Sequence, residues 1–127
     1  MENQEIQNVI DTYIEAYNSF DIERMISVLH PDIDFKNFTN GEMDLHLEGK
    51  EAFRAQANKA ATFFSQRKQT VTDMMITLET AEVAVDYFAV LAVDLPNGLL
   101  AGQSLDMKGT STFSFKDQLI INMEDRS

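Results

Sequence analysis

Few side chains in this sequence have both the type and the spacing for chemistry. Tyr13 and Tyr17 are four residues apart, about one helical turn, so they share a stripe with Ile6, Val9, Ile10 and Ile14. A stripe of that kind faces a core. Its tyrosines bury their rings and need partners for their hydroxyls. Asn37 is the second signal. Ile33, Phe35 and Asn37 alternate with Asp34, Lys36 and Phe38, which places the amide on the inward face beside two apolar side chains. An amide needs several hydrogen bonds. A cavity holding water or ligand supplies them and a dry core does not. His30 precedes Pro31 at an expected helix end, where a ring nitrogen can serve the last carbonyls. His46 and Asp44 are two apart in an expected strand, so both could reach one ion. Two ligands do not make a metal site, and the pair reads as solvated edge residues, with no metal or cofactor expected. The absence of Cys excludes thiol nucleophiles, disulfides and Cys-ligated zinc.

These residues depend on a simple order of elements. The Ile6–Tyr17 stripe predicts a first helix, broken at Asn18–Asp21, with Asp21 placed to cap a second. Ile22, Met25, Ile26 and Leu29 give the second helix its buried side, and His30-Pro31 ends it. A strand is expected over 32–38, and a minor strand over 43–48 with Leu45 and Leu47 inward and Asp44 and His46 outward. Gly49 opens a third helix whose buried stripe is Phe53, Ala57, Ala60, Ala61 and Phe64. Residues 69–79 read as a strand. A long hairpin over Glu82–Phe115 follows, turning at Pro96-Asn97-Gly98, with Gly102 and Gly109 as bend or bulge points. Its first arm carries Val83, Val85, Tyr87, Ala89, Leu91 and Val93 at period two. Leu119–Met123 closes the chain. Helices early and strands late predict an α+β domain, a curved and mostly antiparallel sheet wrapped around three helices with a pocket at the open end.

The totals narrow the function classes. The 127 residues suffice for one domain spanning 1–127. A formal net charge of −11 opposes contact with phosphate backbones, so nucleic acid and anionic membranes are not expected partners. No apolar run is long enough to span a bilayer, and Met1–Glu5 has no signal-peptide character, which makes a cytoplasmic location the expectation.

The order of elements resembles the nuclear-transport-factor-2-like superfamily, the cystatin-like α+β cone. The resemblance rests on Tyr13–Asp21, Leu29–Phe35, Gly49–Phe53 and Phe113–Ile120, and covers nearly the whole chain. Within that superfamily the chain looks most like SnoaL-like polyketide cyclases and ketosteroid isomerases. The isomerase branch uses a tyrosine on the first helix, an aspartate base on the first strand and a protonated aspartic acid on a late strand; this branch is a well-worked case of pKa tuning. Tyr13 stands at the tyrosine position, Asn37 at the base and Ser111 near the acid. An asparagine cannot take up a proton at neutral pH, so the resemblance argues against steroid-isomerase chemistry. SnoaL-like cyclases use a carboxylate near the end of the last strand. Glu124 and Asp125 are the local candidates, and Asp125 shares its parity with Leu119, Ile121 and Met123.

The resulting expectation is a pocket for a small apolar, ring-containing molecule, with Tyr13, Asn37 and Asp125 as the candidate catalytic trio. Tyr17, Phe35, Phe53, Phe64, Tyr87, Ser111 and Phe113 are candidate ligand contacts, since such sites are mostly apolar with a few placed polar groups. Acid/base isomerisation, cyclisation, dehydration or hydrolysis would suit this set. A non-catalytic binding module and a dimerisation domain with a filled cone are the alternatives. A titratable carboxylate inside the cavity favours chemistry; a polar but non-ionisable cavity favours binding alone. Phe88 and Val90 oppose Tyr87, Ala89 and Leu91, so both faces of that strand ask for burial, and a homodimer through the convex face is expected.

Overall fold

Glu5 accepts a hydrogen bond from the Glu2 backbone N–H (3.2 Å) and starts α1 (Asn3–Asn18), whose stripe buries Ile6, Ile10, Tyr13 and Ile14. Asp21 caps α2 (Ile22–Ser27) by accepting from the Arg24 N–H at 3.2 Å. The remaining elements are β1 (Leu29–Thr39), β2 (Glu42–Glu48), α3 (Lys50–Ala61), β3 (Phe64–Thr77), β4 (Thr80–Leu91), β5 (Ser104–Lys116) and β6 (Leu119–Arg126). This computed structural model describes all 127 residues.

The six strands form one sheet in the order β2-β1-β6-β5-β4-β3. Only β1 and β6 run parallel; every other neighbouring pair is antiparallel. The sheet is open, with β2 and β3 at its edges, and its three helices lie together on the concave side. Period-two alternation decides which residues meet them. Ala81, Val83, Val85, Ala89 and Leu91 of β4 and Ser111, Phe113 and Phe115 of β5 are buried, and the intervening residues are not. The core joins these to Ile6, Ile10, Met25, Leu29, Ile33, Ile120 and Met123.

Several boundaries differ from the sequence reading. His30 and Pro31 do not end α2. They already belong to β1, where the His30 Nδ1 accepts from the Asp32 N–H (3.0 Å). Phe64 is not on α3. It opens β3, which starts five residues before the expected strand at Gln69. The hairpin turn is not tight. Twelve residues, Ala92–Gln103, separate β4 from β5, and Val93 lies in that loop, 38% exposed. Asp44 does not point outward with His46. A bulge between Asn37/Phe38 pairs Asn37 with Leu45 and Phe38 with Met43, leaving Asp44 as the extra residue, turned to the side of Asn37 and Thr39. Gly109 is required by packing. A Cβ there would lie 2.6 Å from the Arg126 carbonyl oxygen.

Candidate functional site

One cross-strand row builds the polar part of the concave face. Asn37 on β1 pairs with Asp125 on β6, and Asp125 pairs with Ser111 on β5. Residues directly opposite one another in a ladder point to the same face, so all three converge. The next row toward the core, Phe35, Met123 and Phe113, is apolar. The polar residues therefore sit on a hydrophobic floor.

Two adjoining cavities meet at this row. Both are bordered by Tyr17, Asn37 and Asp125. The first, about 170 Å³, also has Gln69, Tyr87, Gly109 and Ser111 in its wall. The second, about 180 Å³, lies under α3 and is mainly apolar, with Tyr13, Met25, Phe35, Leu47, Phe53 and Arg67 around it. Phe35 and Phe53 meet edge-on at 5.5 Å. Among the expected ligand contacts, Tyr17, Phe35, Phe53, Tyr87 and Ser111 border a cavity. Phe64 and Phe113 do not. Phe64 supports Tyr87 from behind (6.5 Å between ring centroids), and Phe113 is buried under the Tyr13 ring at 6.2 Å.

Asp125 is the ionisable group of this site. Its Oδ1 accepts from the Ser111 Oγ at 2.7 Å. Burial raises its pKa from an ordinary 3.8 to about 6, against the opposing pull of that hydrogen bond. Some of its surface remains open, and it borders both cavities. Glu124, the other sequence candidate, points to the opposite face and binds Arg126 at 3.0 Å. Tyr13 is buried, and burial together with the nearby Asp125 charge holds its phenol well above the usual range. Its hydroxyl has no protein partner and opens on the second cavity. Tyr17 donates to the Tyr87 hydroxyl at 2.9 Å, and burial raises both phenols. All three tyrosines are therefore neutral donors at physiological pH.

Asn37 borders both cavities, yet its amide is not free. Its Nδ2 donates to the Asp44 Oδ1 at 2.8 Å, and Thr39 donates to the other oxygen of Asp44 at 2.7 Å. A carboxylate only accepts, so Asn37 turns its NH₂ to Asp44 and keeps its carbonyl oxygen for another partner.

Arg67 is the residue that sequence reasoning missed. It is buried, and its Nε donates to the Tyr17 carbonyl oxygen at 2.9 Å. In the chain it sits in the polar run Ser65-Gln66-Arg67-Lys68-Gln69, which reads as a wet surface. Only alternation in β3 separates it from its exposed neighbours, and that strand was expected to begin two residues later. On the convex side His46 binds Asp34 at 2.6 Å, with Glu48 at 3.7 Å; these three carboxylate and imidazole groups lie close enough to share an ion. Asp44 is not part of that group.

The comparisons fit this geometry. The SnoaL-like domain profile matches residues 10–123, and the chain belongs to that family. A search of curated proteins finds no significant sequence match. Among solved structures, TsrD from Streptomyces laurentii superposes with a TM-score of 0.81 at 17% identity, covering 98% of this chain and 89% of that one. IdmH, a candidate polyketide cyclase of Streptomyces antibioticus, gives 0.75 at 18% identity over 94% of this chain and 88% of that one. A candidate polyketide cyclase from Xanthomonas campestris pv. campestris gives 0.76 at 19% identity, covering 98% and 90%. At these identities the likeness shows the fold alone, an α+β cone of the nuclear-transport-factor-2-like type.

Proposed function

We propose that this protein binds a small apolar, ring-containing molecule in the cavity under α3 and performs acid/base chemistry on it. Asp125 is the proton-transfer group. The observation that carries this reading is the Asp125 carboxyl at the junction of two cavities, its pKa raised by burial to about 6. A group of that pKa is ionised enough at neutral pH to take a proton and holds it firmly enough to return it. The neutral Tyr13 hydroxyl donates to a substrate oxygen, and the Asn37 carbonyl accepts from a substrate hydroxyl. Isomerisation, cyclisation, dehydration and hydrolysis all suit this set; removal of a proton next to a carbonyl is the step common to the first two. The binding-only alternative finds support in Asn37, which supplies no base where the isomerase branch has one.

The test uses 2-tetralone, a bicyclic ketone with exchangeable hydrogens beside its carbonyl. In D₂O near neutral pD, NMR should show the protein accelerating hydrogen–deuterium exchange at those carbons, and Asp125→Asn should abolish the acceleration. Binding without acceleration would support the non-catalytic alternative.

The same reading includes a homodimer. Phe88 is 42% exposed on the convex face of β4, with Ala84 and Val90 half-buried beside it on that strand. Around them lie Lys68, Asp106 and the Asp86–Lys108 ion pair at 2.9 Å, which would form a polar rim. Sedimentation velocity at micromolar concentration should show a dimer that Phe88→Glu dissociates. A wild-type monomer would remove this part of the proposal. No helix here is long and apolar enough to cross a membrane.

A further inference from the structure

We infer that Arg67 anchors an anionic oxygen of the ligand, so the molecule taken up under α3 is a small organic acid: an apolar ring body bearing a carboxylate. The inference rests on the binding role just proposed for that cavity and specifies the class of its occupant.

Arg67 is the only buried Lys or Arg in the protein. The sequence has 21 acidic side chains against 10 basic ones, and none of the acidic ones pairs with it. Its Nη2 is the one sealed side-chain nitrogen or oxygen in the molecule without a hydrogen-bond partner. Burying a guanidinium without a counter-charge is expensive, and an unmet donor adds to that cost. Nevertheless the side chain is held firmly. The guanidinium carbon lies 3.8 Å from the centroid of the Tyr17 ring and 4.5 Å from that of Phe20. Its Nε is occupied by the Tyr17 carbonyl, at the negative end of α1. Phe20 takes a left-handed backbone conformation (φ 59°), which a bulky residue adopts only when its surroundings enforce it. This strained residue places its ring against Arg67.

These contacts orient the fork but leave part of it unused. Helix capping and ring stacking would explain a buried arginine whose donors were all met. They do not explain an uncompensated buried cation that also borders an apolar cavity: Nη2 is sealed from that space, whereas Nη1, neither sealed nor bonded to any protein group, is the donor left for a ligand. A carboxylate accepts a charge-assisted bond from that Nη1 and supplies the missing charge in the same contact. It is also the anion that a protein of net charge −11 can bind only where a local cation has been set apart for it. Tyr13 and Tyr17 border the space between Arg67 and Asp125, so an acid held at Arg67 lays its ring along the tyrosines toward the proton-transfer group.

The experiment compares 2-naphthoate with its neutral counterpart 2-naphthamide by calorimetry at pH 8. Wild type should bind the acid at least about tenfold more tightly, as expected for a desolvated charge-assisted pair. Arg67→Met should remove that preference, and Arg67→Lys should keep part of it. In ¹⁵N spectra the Arg67 Nε–H should shift with naphthoate and stay in place with naphthamide, a response that a purely structural arginine would not give. Equal affinity of wild type for the two compounds overturns the inference and leaves the apolar cavity reading intact. Binding of neither compound overturns both. If Arg67→Met fails to fold, the wild-type affinity ratio and the Arg67 shift decide the question alone.

Discussion

Asp34 and Asp125 are aspartates on adjacent, parallel strands of one sheet, and their environments push them in opposite directions. Asp34 on β1 faces outward, where His46 at 2.6 Å and Lys36 at 3.5 Å hold its carboxyl below the usual range, the hydrogen bond to His46 being the largest cause. Asp125 on β6 faces inward, where burial raises it to about 6 and only one hydroxyl opposes. The two differ in which side of the pleat they occupy. A residue type therefore says little about chemistry here until the face is known.

The comparison breaks most sharply at Asp125. The folded protein keeps that proton up to about pH 6, whereas the unfolded chain releases it near 3.8. Stability should therefore fall as pH rises from about 4 to about 6 and stay lower above that. Asp125→Asn keeps an acceptor for Ser111 and removes the charge. We expect it to be about 3 kcal/mol more stable than wild type at pH 8 and equal to it at pH 3, measured by urea unfolding at both values. A variant no more stable at pH 8 would mean that the inward carboxylate is as well solvated as the outward one.

A smaller effect is expected one strand away. Ser111→Ala deletes the bond that favours the charged form, so the Asp125 pKa should climb further, by the equivalent of about 1 kcal/mol. Carbon-13 titration of the Asp125 carboxyl would record it, and an unchanged midpoint would place the hydroxyl outside the site.

Asp34 should answer with the opposite sign. Its lowered pKa contributes stability above the unfolded value that is lost as pH falls through the folded one. Asp34→Asn should thus lose about 0.5 kcal/mol at pH 7, with the difference vanishing in acid, since a half-exposed ion pair is worth little. His46→Gln should have the least effect, a few tenths of a kcal/mol, while NMR shows the Asp34 pKa returning toward its ordinary value. A gain in stability at pH 7 from Asp34→Asn would erase the contrast between the two faces.

Much of the site could be read from alternation. Period two put Asn37 beside Ile33 and Phe35, Ser111 beside Phe113, and Asp125 beside Met123, and the structure places each on the concave side. The helical stripe likewise brought Tyr13 and Tyr17 to the cavities. Alternation failed where the ladder breaks step. The bulge at Asp44 reverses that side chain and gives Asn37 a carboxylate partner, and no residue type at 43–45 announces it. It failed again at Arg67. An arginine in a polar run is buried because the end of α1, fifty positions away in the chain but adjacent in space, lies across it, as the Arg67–Tyr17 hydrogen bond shows.

The sequence by itself determined the order of the elements, the α+β class and the inward face wherever a strand keeps step, because these follow from side-chain periodicity within a few neighbouring residues. The tertiary structure decided which inward residues meet, how dry each position is, and which charges have no partner. Those properties depend on register, bulges and the packing of distant segments, and they set both the proton affinity of Asp125 and the unmet donor of Arg67.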